Sequence, residues 1–148
     1  MSSSSSSNQG RPRAGTSDGF QRTRADHATE LAEDYVELIA DLINETGEAR
    51  TVDIAARLGV THVTVANTIN RLKRDGLVTS QRYRSIFLTD KGRLLAATAR
   101  QRHNLVVDFL VALGVPSADA EIDAEGIEHH ISDSTVAAMS RYLRNRSD

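Results

Sequence analysis

The stretch Thr51-Val-Asp-Ile-Ala-Ala-Arg-Leu-Gly-Val-Thr-His-Val-Thr-Val-Ala-Asn-Thr-Ile-Asn-Arg-Leu-Lys-Arg-Asp-Gly76 decides the fold class. A short helix is predicted over 51–58, ending at Gly59. Thr61 supplies a hydroxyl that can cap a second helix over 62–75, and Gly76 closes it. Val65, Ile69 and Leu72 recur at helical spacing, and small Ala55 sits where the two helices would cross. Two short helices joined by a tight Gly-containing turn make a helix-turn-helix. The outer face of the second helix carries Val63, Thr64, Asn67, Asn70, Arg71 and Arg74. An Asn amide matches the N6/N7 edge of adenine, and Val63 or Thr64 can touch a thymine methyl. Arg71 and Arg74 can reach guanine or phosphate. An ordinary amphipathic helix also has a polar outer face, so the nucleic-acid reading rests on spacing, cap and turn together.

Just downstream, Leu77-Val-Thr-Ser-Gln81 reads as a strand and Ile86-Phe-Leu-Thr89 as its return. A hairpin directly after a recognition helix is a wing. Arg82 and Arg84 at its tip are placed for phosphate or a minor groove. Residues 26–90 are therefore expected to form a winged helix-turn-helix DNA-binding domain.

Upstream, residues 26–46 repeat apolar side chains at Leu31, Tyr35, Leu38, Ile39, Leu42 and Ile43. Glu30, Asp34, Glu37 and Asp41 fall on the other side of that helix. Residues 27–49 hold seven acidic side chains and no basic one, whereas residues 50–93 hold nine basic and three acidic. A solvated face commonly mixes Lys with Glu to gain i,i+4 pairs; like charges at that spacing cost stability unless a cation neutralises them. The net charge of −2 thus hides a basic module between acidic flanks. Residues 1–25, with a serine run at 2–7, read as a disordered tail.

Further along, Asp90 can cap a helix reaching about Leu113, with His103 in its middle. Gly114 and Pro116 end it. A fifth helix is expected over 117–130 and a sixth, capped by Ser132, runs through Val136, Met139, Tyr142 and Leu143. In Asp123-Ala-Glu-Gly-Ile-Glu-His-His130, the residues Glu125, Glu128 and His129 share a helix face. Two carboxylates and an imidazole make half of a metal site; a solvated acidic helix end is the plain alternative. Asp123 and His130 lie off that face and are expected to support rather than ligate. The fold class expected is mainly α: the winged domain, then an all-α metal-binding and dimerisation domain over 91–146.

Composition narrows the classes. With no cysteine in 148 residues, disulfides, thiolate nucleophiles and Cys-type zinc sites are excluded. No apolar run approaches the roughly 18 residues of a membrane span, and no secretory h-region is present, so a cytoplasmic location is expected. A di-metal carboxylate enzyme would need Glu-x-x-His on two helices. Only one such cluster exists, so no enzymatic role is expected.

Four segments together resemble the manganese transport regulators of the diphtheria-toxin-repressor family of metal-dependent transcription factors. They are Glu33-Asp-Tyr-Val-Glu-Leu-Ile39, the helix-turn-helix with its Tyr-Arg-Ser wing, Arg102-His-Asn-Leu-Val-Val-Asp-Phe-Leu110 and Asp123–His130. The resemblance covers about residues 30–143. It implies six metal ligands: Asp34, Glu37, His103, Glu125, Glu128 and His129. Asp34 stands where iron-responsive relatives carry Met, and Glu125 where they carry Cys. Oxygen and imidazole donors suit Mn²⁺, although affinity alone would not reject Zn²⁺ or Cu²⁺. Four carboxylates carry four negative charges, so two divalent ions per subunit would balance the site and one would not. The resemblance further implies a homodimer on double-stranded operator DNA, metal-dependent repression of manganese uptake genes, no membrane partner and no small organic substrate. Longer relatives continue into an SH3-like third domain, expected here to be absent. The alternatives are an iron- or zinc-responsive regulator of the same family, or a winged-helix regulator sensing an organic ligand.

Overall fold

The computed structural model describes residues 17–81 and 85–146. In chain order it has α1 (Ser17–Thr46), β1 (Ala49–Arg50), α2 (Thr51–Leu58), α3 (His62–Arg74), β2 (Val78–Ser80), β3 (Ser85–Leu88), α4 (Asp90–Ala112), α5 (Ser117–Ile127) and α6 (Asp133–Arg146). No helix among the described residues is long and apolar enough to cross a membrane.

The helix-turn-helix forms as its local signals require. The αL conformation at Gly59, φ 66°, ends α2, where a side chain would be strained. Thr61 Oγ1 accepts from the Thr64 amide and starts α3. Val65, Ile69 and Leu72 face a core shared with Tyr35, Val36, Ile39 and Leu42 of α1, Ile54 and Ala55 of α2, and Ile86 and Leu88 of β3. The C-terminal half of α1 is thus a structural part of the winged helix-turn-helix module. From there α1 also packs along α4, and α4 in turn carries α5 and α6. The site described below lies where α1, α4 and the end of α5 meet.

Four expectations are corrected. First, α1 starts at Ser17, not at residue 26, so residues 17–25 do not belong to a disordered tail. Extending an existing helix fixes one residue per hydrogen bond gained, and Gln, Arg and Ala propagate it well; residues 1–16 lie outside the described residues. Second, the wing gains a third strand. Ala49–Arg50 pairs antiparallel with β3, giving the order β1-β3-β2. Two residues carry no periodicity, so this pairing is invisible locally. Third, Thr89, not Asp90, caps α4: its Oγ1 accepts from the Gly92 amide at 3.1 Å. Fourth, α5 stops at Ile127. Glu128 occupies the C-cap and His129 and His130 lie in the following turn, closed by His130 N–H donating to the Ile127 carbonyl at 3.0 Å.

Candidate metal centre

Glu128 is the hub of the centre. It is 2% exposed at the end of α5. Its Oε2 lies 2.5 Å from His103 Nδ1 and its Oε1 3.4 Å from His129 Nε2. One carboxylate therefore faces two imidazoles, one on each oxygen. The α5 C-cap makes this possible: the turn after Ile127 brings His129 back toward α1, instead of continuing a helical face.

From α1, Asp34 Oδ1 reaches to 3.1 Å from the same His129 Nε2. Glu125, on the exposed rim of α5, holds its Oε1 3.9 Å from His103 Nδ1. Glu37 is mostly buried on α1, with Oε2 3.8 Å from Arg100 Nε. Asp34, His103, Glu125, Glu128 and His129 are thus joined by contacts of 2.5 to 3.9 Å, while Glu37 pairs with Arg100 and feels the charges of Glu128, Asp34 and Glu125. Glu30, Asp34 and His129 each offer an atom within 4.8 Å of the others. Glu30 was not expected there; its position one turn before Asp34 on the acidic face was the available signal. Asp123 is exposed, and His130 Nε2 lies 3.3 Å from Glu30 Oε2.

The outer nitrogens of the two imidazoles also meet carboxylates. His129 Nδ1 is 2.6 Å from Glu33 Oε2, and His103 Nε2 is 2.8 Å from Glu121 Oε2. Neither Glu33 nor Glu121 was singled out from sequence. Carboxylates that hold the far nitrogen of a ligating histidine are the usual supports of metal sites.

The electrostatics follow from crowding. Burial, reinforced by neighbouring Glu128, Asp34 and Glu125 against Arg100, pushes the Glu37 carboxyl up to about 7. Burial likewise raises Asp34 and Glu128, with His129 and His103 respectively opposing the rise. Burial alone would lower His103 and His129. Glu121, Glu128 and Glu125 around His103, and Glu33, Asp34 and Glu128 around His129, outweigh it and raise both. The crowded carboxylates thus favour added positive charge at this place. The donors, carboxylate oxygens and imidazole nitrogens, fit a hard divalent cation in that role.

The acidic face of α1 is less bare than within-helix spacing implied. Arg100 of α4 puts Nη2 2.8 Å from both carboxylate oxygens of Asp41. Arg102 Nη1 stands 3.6 Å from Glu33 Oε1, and Arg57 Nη2 2.5 Å from Glu45 Oε2. The basic partners come from other helices.

On α3, all of Val63, Thr64, Asn67, Asn70, Arg71 and Arg74 are exposed, Val63 at 69%. The Thr64 hydroxyl is engaged with Thr61 Oγ1 at 3.0 Å. Exposed Lys73 adds a cation not anticipated. Among the described residues, Arg71, Lys73 and Arg74 face no carboxylate. Arg82 and Arg84 lie outside the described residues.

Comparison with known proteins agrees with both halves. Residues 27–86 match the iron dependent repressor N-terminal DNA binding domain. Residues 89–148 match the iron dependent repressor metal binding and dimerisation domain. The chain is 51% identical over 127 residues to the transcriptional regulator MntR of Escherichia coli O157:H7, covering 86% of this chain and 82% of that one. It is 40% identical over 104 residues to the HTH-type transcriptional regulator MntR of Geobacillus kaustophilus (strain HTA426), covering 70% and 74%. A solved manganese-dependent transcriptional repressor in complex with manganese superposes with TM-score 0.66 at 33% identity, covering 76% of this chain and 52% of that one. The manganese regulator SloR superposes with TM-score 0.67 at 27% identity, covering 76% and 53%. The chain thus spans about half the length of those two solved chains.

Proposed function

The chain belongs to the iron-dependent repressor family, and from that premise we propose that it is a manganese-responsive DNA-binding transcriptional regulator that acts as a homodimer on double-stranded operator DNA. One observation carries the reading: carboxylates and imidazoles from α1, α4 and the end of α5 converge, with the two oxygens of Glu128 facing two different imidazoles. Asp34, Glu37, His103, Glu125, Glu128 and His129 would hold the metal. The two-sided placement of Glu128 supports two ions per subunit, as does the charge of the four carboxylates.

When bound, divalent cations neutralise the clustered carboxylates and join donors from separate helices. The rest follows from the chain. Asp34 and Glu37 sit on α1, whose buried face is part of the core under α2 and α3. His103, Glu125, Glu128 and His129 sit on the α4–α5 body. Uncompensated, the two sets of carboxylates repel and work against the Arg100–Asp41 and Arg102–Glu33 pairs that tie α1 to α4. Compensated, α1 is locked, and with it α3. In a two-fold dimer this sets the separation of the two α3 helices, which must match half-sites about one helical turn apart. Val63, Thr64 and Asn67 then read bases while Arg71, Arg74, Arg82 and Arg84 anchor phosphate. Dimer contacts fall to the 91–146 region, where Ile122, Leu113 and Val111 are exposed and α6 fully buries no residue.

Genomic DNA selected on the immobilised protein, then titrated at fixed salt with Mn²⁺, Fe²⁺, Zn²⁺ and chelator, tests this. Mn²⁺ should support specific binding and chelation should abolish it. Binding indifferent to chelator would favour a regulator that senses an organic ligand. Selected fragments lying upstream of manganese uptake genes are expected for a repressor of uptake.

A further inference from the structure

Glu33 is 6% exposed and precedes Asp34 on α1. A carboxylate that deep is costly unless it is paired and hydrogen-bonded. Its two oxygens divide the work: Oε2 accepts from His129 Nδ1 at 2.6 Å, and Oε1 stands 3.6 Å from Arg102 Nη1. Arg102 matches its charge, so Glu33 adds nothing to the deficit of the metal centre. Its direction points to another role. Metal can bind only the neutral imidazole, and a neutral imidazole that donates Nδ1–H keeps its lone pair on Nε2. In His129 that nitrogen is the one 3.1 Å from Asp34 Oδ1 and 3.4 Å from Glu128 Oε1. The opposite tautomer would aim an N–H at the ligand cluster and leave Glu33 facing a lone pair.

We propose that Glu33, braced by Arg102, is a positioning residue of the metal centre: it holds Nδ1–H of His129 and so presents Nε2 as the ligand atom. The proposal rests on the metal reading above. It is distinct from a core ion pair, which would stabilise the fold and leave metal affinity untouched. The bracing also spans three elements, since Glu33 lies on α1, Arg102 on α4 and His129 after α5. The ring is therefore oriented by the fold, and a cation needs only to displace the proton on Nε2.

The test uses the full chain as wild type, Glu33→Gln and Glu33→Ala. Calorimetric titration with Mn²⁺ alone, at one pH, reads affinity. Long-range ¹H–¹⁵N correlation of protein loaded with diamagnetic Cd²⁺ reads which nitrogen of His129 is bound. Wild type should show Nε2 bound and the proton on Nδ1. Glu33→Ala should lose on the order of 10–100-fold in Mn²⁺ affinity with unchanged circular dichroism. Glu33→Gln keeps a carbonyl acceptor for Nδ1–H and should stay within about tenfold of wild type. Attachment through Nδ1 in wild type would overturn the proposal, and so would equal affinity in all three proteins. Should Glu33→Ala not fold, the wild-type attachment and the Gln variant decide: a Gln loss beyond that range overturns it. A wild type that takes up no Mn²⁺ would sink the metal reading itself, an outcome separate from equal uptake by all three.

Discussion

Glu128 concentrates the chemistry into one side chain. It is buried, and its oxygens are shared between His103 and His129. Glu128→Gln keeps the shape but replaces one acceptor with a donor and removes the charge. If two ions bind as proposed, calorimetry should then show the Mn²⁺ stoichiometry falling to one or fewer per subunit; two ions still bound with unchanged affinity would rule out a bridging role. Glu37 gives a pH dependence whose sign can be worked out. Burial pushes its carboxyl up to about 7 from an ordinary 4.5. Between those values the folded chain holds a proton that the unfolded chain releases, so stability falls as pH rises through the window. His103 and His129 are raised above 6.5; their stabilisation is complete below that value and is lost above their folded pKa. Both effects run the same way. The melting temperature of metal-free protein should fall steadily from about pH 5 to 8, and saturating Mn²⁺ should flatten or reverse the trend, because metal competes with those protons. Residue types at this scale were legible: the imidazoles and carboxylates stand in recognisable motifs. Their partners were not. Glu33 and His129 are 96 residues apart, and no spacing rule relates them.

Among the elements, α4 enters through a tight gate. A Cβ on Gly92 would lie 2.1 Å from the Leu77 carbonyl oxygen, and Thr89 Oγ1 donates to the Gly76 carbonyl at 2.6 Å in the same corner. Gly92→Ala gains at most about 1 kcal/mol of helix propensity. The clash is with backbone, so α4 must move away from the wing, at a cost of about 1–3 kcal/mol. Urea unfolding should show net destabilisation; an equal or higher midpoint would mean that the corner yields freely. On α3, Arg74→Ala should weaken DNA binding across all sequences and lower the salt slope by about one, whereas Asn67→Ala should relax discrimination at one base position. Identical effects of the two on a scrambled operator would contradict that division. The helices themselves were readable, because cap, turn glycine and apolar period are local signals. The shortened α5 was not: Glu-His-His has no strong breaker, and its turn is held by tertiary contact with α1. The two-residue β1 was equally hidden.

At the scale of the molecule, α1 belongs to two bodies at once. One stretch of it is core to the DNA-binding module, and its acidic face brings Asp34 to 3.1 Å from His129 Nε2, in the proposed metal centre. Metal and operator should therefore be coupled reciprocally. Mn²⁺ affinity measured with operator present should rise by the same factor by which Mn²⁺ raises operator affinity; a rise in only one of the two would exclude the clamp. What the sequence determined by itself was the mainly α class, the winged helix-turn-helix, and, with no cysteine, that any metal donors are oxygens and imidazoles. Each of these depends on short-range periodicity or on side-chain chemistry that no fold can alter. The tertiary structure alone decided which partner each carboxylate meets. Arg100 claims Asp41, and Arg102 with His129 claims Glu33, while Glu128 is turned between two histidines. Those pairings join residues from different helices, so they come into being only when α1, α4 and α5 are packed together.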